Sequence, residues 1–246
     1  MCMRIASITN NISFQKLPMH REEGFNVLNQ VYNAQLTGNK SEEYNINTRH
    51  TNNKLEIKIS DPNNRTELYH WHPVAHSEAF PRRNYIYLNY METSSPYQKK
   101  GLSTTLHLLN IIEMMENDLD AIKLDSLPST IMYHAKMKYQ PQSDMNIELK
   151  NNLNSISKFD PKYKEQIDNL LKSNMKNEEK AKIGCKIMDT FIQKTINKYP
   201  KEVTKWIFNS NIEMVLTKEQ VLKNKDFYNK LFKKHNIDYE INPEAV

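Results

Sequence analysis

Six residues, Gln98-Lys99-Lys100-Gly101-Leu102-Ser103, have the types and spacing to hold an anion. They follow an alternating aromatic run, Tyr85-Ile86-Tyr87-Leu88-Asn89-Tyr90-Met91, and precede an apolar stretch of helical period. A helix leaves its first N–H groups without intrahelical partners, and its dipole adds partial positive charge at that end. Gly101 permits close backbone approach. Lys99 and Lys100 add charge suited to phosphate. Thr104 and Thr105 place hydroxyls in the first turn. The same six residues also fit a plain strand-to-helix turn with two solvated lysines.

Other constellations offer less. His70-Trp71-His72 with His76 suggests a metal cluster, since alternate strand residues share a face. No further ligand completes a zinc signature, and Pro73 makes the stretch irregular. Lining an acceptor pocket, or forming a partly exposed aromatic loop, fits it better. No Gly-x-Ser-x-Gly is present, and Cys185 falls on a helical stripe as a core residue, so a hydrolase has little support. Arg82-Arg83 reads as a solvated turn. Phe227 to Lys234 reads as an amphipathic helix with a lysine face.

The elements that must position the loop follow from periodicity. Residues 1–20 are polar and lack a period, as a loose arm does. Phe25, Leu28, Val31, Tyr32 and Leu36 recur at three- and four-residue steps, which predicts a helix over 21–36. Residues 44–47 and 55–59 alternate, predicting two strands joined by a turn at Asn52-Asn53. Residues 85–91 form the strongest strand. A buried helix runs from about Ser103 to Asn117, with a stripe of Leu102, Leu106, Leu109 and Ile112 widened by Leu108, Ile111 and Met115. A strand at 121–124 and a helix from Pro128-Ser129 to about Lys138 come next, an order that implies a parallel pair with a crossover. Met145 to Leu149 reads as a further strand, and 150–208 as helical. Asp160-Pro161 opens one of those helices. A strand at 212–216 and a capping box, Thr217-Lys218-Glu219-Gln220, precede a last helix.

Composition bounds the remainder. The chain has 246 residues, a net charge of +5 and only 4 glycines. Its 30 Asn and 28 Lys are what an AT-rich genome produces, so lysine runs are weak signs of nucleic-acid binding. No apolar run is long enough for a membrane span, and the N-terminus lacks the core of a secretory signal. Two cysteines exclude a disulfide scaffold and point to a reducing, cytoplasmic compartment.

Residues 84–141 resemble the GCN5-related N-acetyltransferase (GNAT) family. That family carries Gln/Arg-x-x-Gly-x-Gly/Ala between its fourth strand and third helix. Gln98, Gly101 and Ser103 fill the three places, with serine in the small-residue slot. A fifth strand would be Ile122 to Leu127. The family's closing helical phrase, Tyr-x-x-Leu-Gly-Phe-like, would end at Tyr139, with Met137 in the leucine place and His134 in the tyrosine place. Lys138 stands where the family has glycine, and Pro128-Ser129 where it often has asparagine.

The resemblance implies an α/β fold with a mixed central sheet and flanking helices, here divergent and carrying a largely helical insertion or extension. The core would span 21–149 and the helical region 150–246. It implies acetyl transfer from acetyl-CoA to an amine. The backbone from Lys99 through Leu102 and Ser103 to Thr104 would hold the pyrophosphate, and Met91 to Thr93 would pair with the pantetheine arm. Glu92 would be the base. The acid would be Tyr133 by chemical type or His134 by strict counting; adjacent helical residues face about 100° apart, so only one serves. The helical region favours a protein acceptor. The alternative is a non-catalytic interaction module whose helical region docks a partner. The Asn-rich arm also fits an export signal of a bacterial effector delivered into host cells. Nucleic acid is not an expected partner, and no membrane span is expected.

Overall fold

The computed structural model describes residues 26–35, 41–51, 54–62, 73–196, 198–200, 203 and 206–241. These fall into two compact units, one drawn from 1–120 with 221–246 and the other from 121–220. Strands flanked by helices make up the chain, the α/β class expected, and 147–195 is largely helical. The arm at 1–20, the turn at Asn52-Asn53 and His70-Trp71-His72 lie outside the described residues.

The first unit holds five antiparallel strands in sequence order: β1 (Asn26–Gln35), β2 (Ser41–Thr51), β3 (Lys54–Ser60), β4 (Ala75–Pro81) and β5 (Tyr85–Thr93). The helix expected at 21–36 is a strand over its described part. Asn26, Asn29 and Asn33 favour helix poorly because their side chains compete for the backbone. A ladder that sets Tyr32 against Tyr44 and Val31 against Asn45 satisfies that backbone instead. In β3 the alternation is explicit: Leu55, Ile57 and Ile59 are buried, while Lys54, Glu56 and Lys58 form an ion-paired face. Helix α1 (Leu102–Glu116) packs on β4 and β5. Its expected stripe is buried, except that Met114 rather than Met115 faces inward, and Thr105, His107 and Asn110 are buried with it.

The second unit holds β6 (Ala121–Ser126), α2 (Ile131–Lys136), β7 (Gln140–Pro141), α3 (Ile147–Phe159), α4 (Lys164–Lys172), α5 (Asn177–Thr195) and β8 (Ile212–Thr217). Met145 to Leu149 is therefore not a strand. The Asn146 side chain accepts the Leu149 N–H at 2.9 Å and caps α3 instead. Strand β8 pairs antiparallel with both β6 and β7, so α3–α5 are inserted between strands of one sheet. That decides between insertion and extension. Gly184 lets α5 approach α3: a Cβ there would meet Leu153 and Leu149 at 3.2 and 3.3 Å. The capping box forms as expected, with Gln220 N–H donating to Thr217 Oγ1 at 3.1 Å and Thr217 N–H donating to Gln220 Oε1 at 2.7 Å. It opens α6 (Lys218–Lys223), which α7 (Lys225–Lys234) follows. In α7 Tyr228 and Phe232 are buried and Lys230, Lys233 and Lys234 are exposed, as read from sequence. Among the described residues, no helix is long and apolar enough to cross a membrane.

Candidate active site

A β-bulge determines which way the end of β5 faces. Ala79 opposes Leu88 while Glu78 opposes Tyr90, so Asn89 is the extra residue. Without it Glu92 would share a face with Leu88 and Ile86. With it Met91 and Thr93 join the buried face, opposite Ser77 and Ala75. Helix α1 covers that face: Asn110 Nδ2 donates to Ser77 Oγ at 3.4 Å, and the Thr93 and Ser103 hydroxyls lie 2.8 Å apart. Glu92 turns to the other face, opposite His76. There it accepts a hydrogen bond from Tyr90, whose phenol the carboxylate holds above its ordinary range.

Glu56 and Glu78 share that face with His76, and the three offer ligand atoms within 4.8 Å of one another. Lys54 already bridges the two carboxylates, and Lys58 also pairs with Glu56. The cluster is thus neutralised from within.

The loop from β5 to α1 is held at several points. Ser94 N–H donates to Val74 O at 2.9 Å. Ser95–Tyr97 forms a 3-10 turn, and Tyr97 donates to Asp61 Oδ2 at 2.9 Å. Lys100 Nζ lies 4.9 Å from the centre of the Tyr97 ring, and Gln98 Nε2 donates to Thr93 O at 3.5 Å. Lys99 and Gly101 both adopt left-handed backbone, at φ 65° and 86°. Gly101 is the N-cap of α1, its carbonyl accepting the Thr105 N–H at 3.0 Å. The N–H groups of Leu102, Ser103 and Thr104 therefore occupy the free first turn. No acidic residue in that turn offsets the positive end of the dipole.

Gly101 meets a second constraint that the sequence did not suggest. A Cβ at this position would lie 2.7 Å from Cε1 of His235, the residue that ends α7. Glycine is required by a packed imidazole as well as by the turn. His235 is 4% exposed, with Nδ1 3.1 Å from Thr105 Oγ1. Burial, with Lys234 adding to it, pulls its pKa down to about 4. No local pattern reveals this partner, because it lies 130 residues beyond Thr105.

Tyr133 and His134 belong to the second unit, on α2. The two rings stand 5.5 Å apart, and His134 also meets the buried Tyr139 at 5.9 Å. His134 is 7% exposed, and burial lowers its pKa to about 4. Its Nδ1 lies 2.7 Å from Ser126 Oγ at the end of β6. Ser126, fully buried, is a polar partner the sequence did not single out. Lys138 takes φ 69°, so the turn after α2 forms without the glycine.

The second unit also carries an open cleft of about 1280 Å³, lined in part by Lys123, Asp125, Cys185, Lys186, Asp189 and Glu213. Burial raises the Asp189 and Glu213 carboxyls and the Cys185 thiol. Cys185, read from sequence as a core residue, is only half-buried and lines this cleft.

No protein-family profile matches the chain, and no curated protein matches it in sequence. Among solved structures, it is similar to one described as an acetyltransferase assigned to the GNAT family, from Desulfovibrio desulfuricans. The identity is 7% and the TM-score 0.31, and the match covers 39% of this chain and 60% of that one, under two thirds of its length. It is also similar to nourseothricin acetyltransferase, at 9% identity and a TM-score of 0.33, over 51% of this chain and 78% of that one.

Proposed function

We propose that this chain is an acyltransferase that moves the acetyl group of acetyl-CoA to an amine, with a protein amine as the preferred acceptor. The observation that carries the proposal is the start of α1. Three first-turn N–H groups and an uncompensated dipole end on a loop that carries Lys99 and Lys100 and is pinned to the end of β5. This suits a pyrophosphate, which needs several donors at once. In this reading the backbone at Met91–Thr93 pairs with the pantetheine arm, which the Thr93–Ser103 contact keeps in line with the helix start.

The chemistry needs two proton movements. The acceptor nitrogen attacks the thioester carbon and sheds a proton as its C–N bond forms. The C–S bond breaks with its electron pair going to sulfur, and the thiolate then takes a proton. Glu92 serves as the base, on the sheet face where Tyr90 orients its carboxylate. The acid comes from Tyr133 or His134.

Thermal unfolding with acetyl-CoA, with free CoA and ATP as controls, tests the proposal. Ligand at about a hundred times its dissociation constant adds about 2.7 kcal/mol. For a chain of this size that raises Tm by about 5–10 °C. A shift with both CoA forms and none with ATP supports the reading. No shift at millimolar acetyl-CoA refutes it and favours a chain whose helical region docks a partner.

A further inference from the structure

The cleft of the second unit carries the opposite sign to the chain around it. Six carboxylates and three lysines line it, whereas the whole chain has a net charge of +5. Lys123, Asp125 and Glu213 line it from β6 and β8. Along α5 the lining runs from Glu178 to Asp189, about 16 Å at about 1.5 Å per residue. The lysines of the cleft do not cancel the excess. Lys123 pairs with Glu213 and Lys182 with Glu178, each at 3.8 Å. The Glu213 carboxyl is still held above its ordinary range. Burial does most of this, Lys123 opposes it, and Asp125 and Asp144 repel the charge. The same Asp144 and Glu213 reinforce the effect of burial on the Cys185 thiol. This negative charge is spread along the cleft and not gathered at one point. Among the described residues, the group of ligand atoms close enough to share a metal ion is Glu56, His76 and Glu78, in the first unit.

We infer that this cleft binds a linear aliphatic polyamine, whose ammonium groups meet carboxylates spread from Asp144 and Glu213 to Asp189. Each ammonium brings several donors and no acceptor, which matches walls that offer carboxylate oxygens. A volume of about 1280 Å³ admits an extended ligand, and the methylene spacers have Ala181 and Ile212 to lie against. An anion is repelled by the excess of carboxylates, and an apolar ligand finds few apolar walls. A basic peptide fits less well, because its backbone needs partners too. The short strand β7 beside the cleft is two residues long and ends in Pro141, which has no N–H to give. The site lies wholly in the second unit, and its ligand is independent of acetyl transfer.

The test is titration calorimetry of the full chain with spermine, at neutral pH and low salt, with thermal unfolding on the same samples. Putrescine, Mg²⁺ and a lysine tetrapeptide are the comparison ligands. Spermine should bind saturably, and putrescine more weakly because it carries fewer ammonium groups. D144N and E213Q should each weaken spermine about 5–10-fold, the loss of one charge-assisted contact. K186Q should tighten it about 2–5-fold, because a lining cation that repels the ligand is gone. E165Q, on α4 and outside the cleft, should leave it unchanged. Asp144 and Lys186 are exposed, so D144N and K186Q keep the fold and decide the matter even where E213Q does not. Opposite changes at these two positions cannot come from a general loss of structure. Neither heat nor a rise in Tm at millimolar spermine overturns the inference. So does equal affinity in D144N, K186Q and the wild type, or Mg²⁺ binding as tightly as spermine. Tighter binding of the tetrapeptide overturns the choice of a free polyamine.

Discussion

Replacing Gly101 by alanine separates the packing role of the loop from any role toward a ligand. An L residue at φ 86° costs about 1–2 kcal/mol. The added Cβ lies 2.7 Å from Cε1 of His235, a ring that is 4% exposed. That ring can yield only by breaking its contact with Thr105 or by shifting the end of α7. Overpacking of this kind costs about 1–3 kcal/mol. Together G101A loses about 2–5 kcal/mol, a fall in Tm of about 4–20 °C. Thermal unfolding of G101A, H235A and the double variant gives the assay. H235A destabilises the wild type, because Thr105 loses its contact with the ring and a cavity opens. In the G101A background it also relieves the clash, so the double variant is more stable than the sum by about 1–3 kcal/mol. A Tm for G101A within 2 °C of the wild type (a change of at most about 1 kcal/mol), or strictly additive losses, refutes the assignment of this glycine to packing. Loss of function on enlarging residue 101 reports on the fold before it reports on a ligand.

The pH dependence of stability has a definite sign. His134 and His235 titrate near 4 in the folded chain against 6.5 for an ordinary imidazole. Between those values the unfolded state binds more protons, so stability is full above pH 6.5 and falls toward pH 4, by up to about 3 kcal/mol per ring. Denaturant titration of H235Q across this window should recover about half the loss; an unchanged slope excludes His235. Lys138→Gly relieves a left-handed lysine and should gain about 0.5–1 kcal/mol net of chain entropy, read as a rise in Tm. Gln220→Ala breaks the capping box and should cost about 1 kcal/mol in urea unfolding. If the proposed transferase is active, Glu92→Gln should lower kcat about 10²–10⁴-fold with KM for acetyl-CoA little changed; full activity would assign the base elsewhere.

Where side-chain period and cap chemistry agree, the sequence was readable. The alternation of Leu55, Ile57 and Ile59, the stripe of α1 and the Thr217–Gln220 box all formed as read. The segment 26–35 misled because its apolar residues fit a helical step while its backbone found β2. Met145 to Leu149 misled because Asn146 looked like a strand residue and is a cap. The loop 98–101 could be located from its residue types. The bulge that turns Glu92 to the opposite face from Thr93 depends on a register shift against β4, which no local pattern reveals. His235 behind Gly101 and Ser126 behind His134 are tertiary partners of the same kind.

The chain leaves its first unit at Asp120, builds the second, and returns at Val221. During synthesis this makes the order of assembly nested. Strand β6 emerges long before β8, against which Ala121 to Ser126 pair. At about 5–20 residues per second the wait is of the order of ten seconds. Over that interval one edge of β6 lacks the strand that will cover it, a template for self-association. The turn at Gly101 waits longer, since the imidazole that fills the space behind it comes from His235. A ribosome stalled anywhere in α7 would therefore hold a chain whose strands β1–β5 and helix α1 are all complete, yet whose loop 98–101 has no wall behind it. The loop gains that wall only once His235 has joined the fold, so any ligand it serves meets a finished site only after the end of α7 has packed.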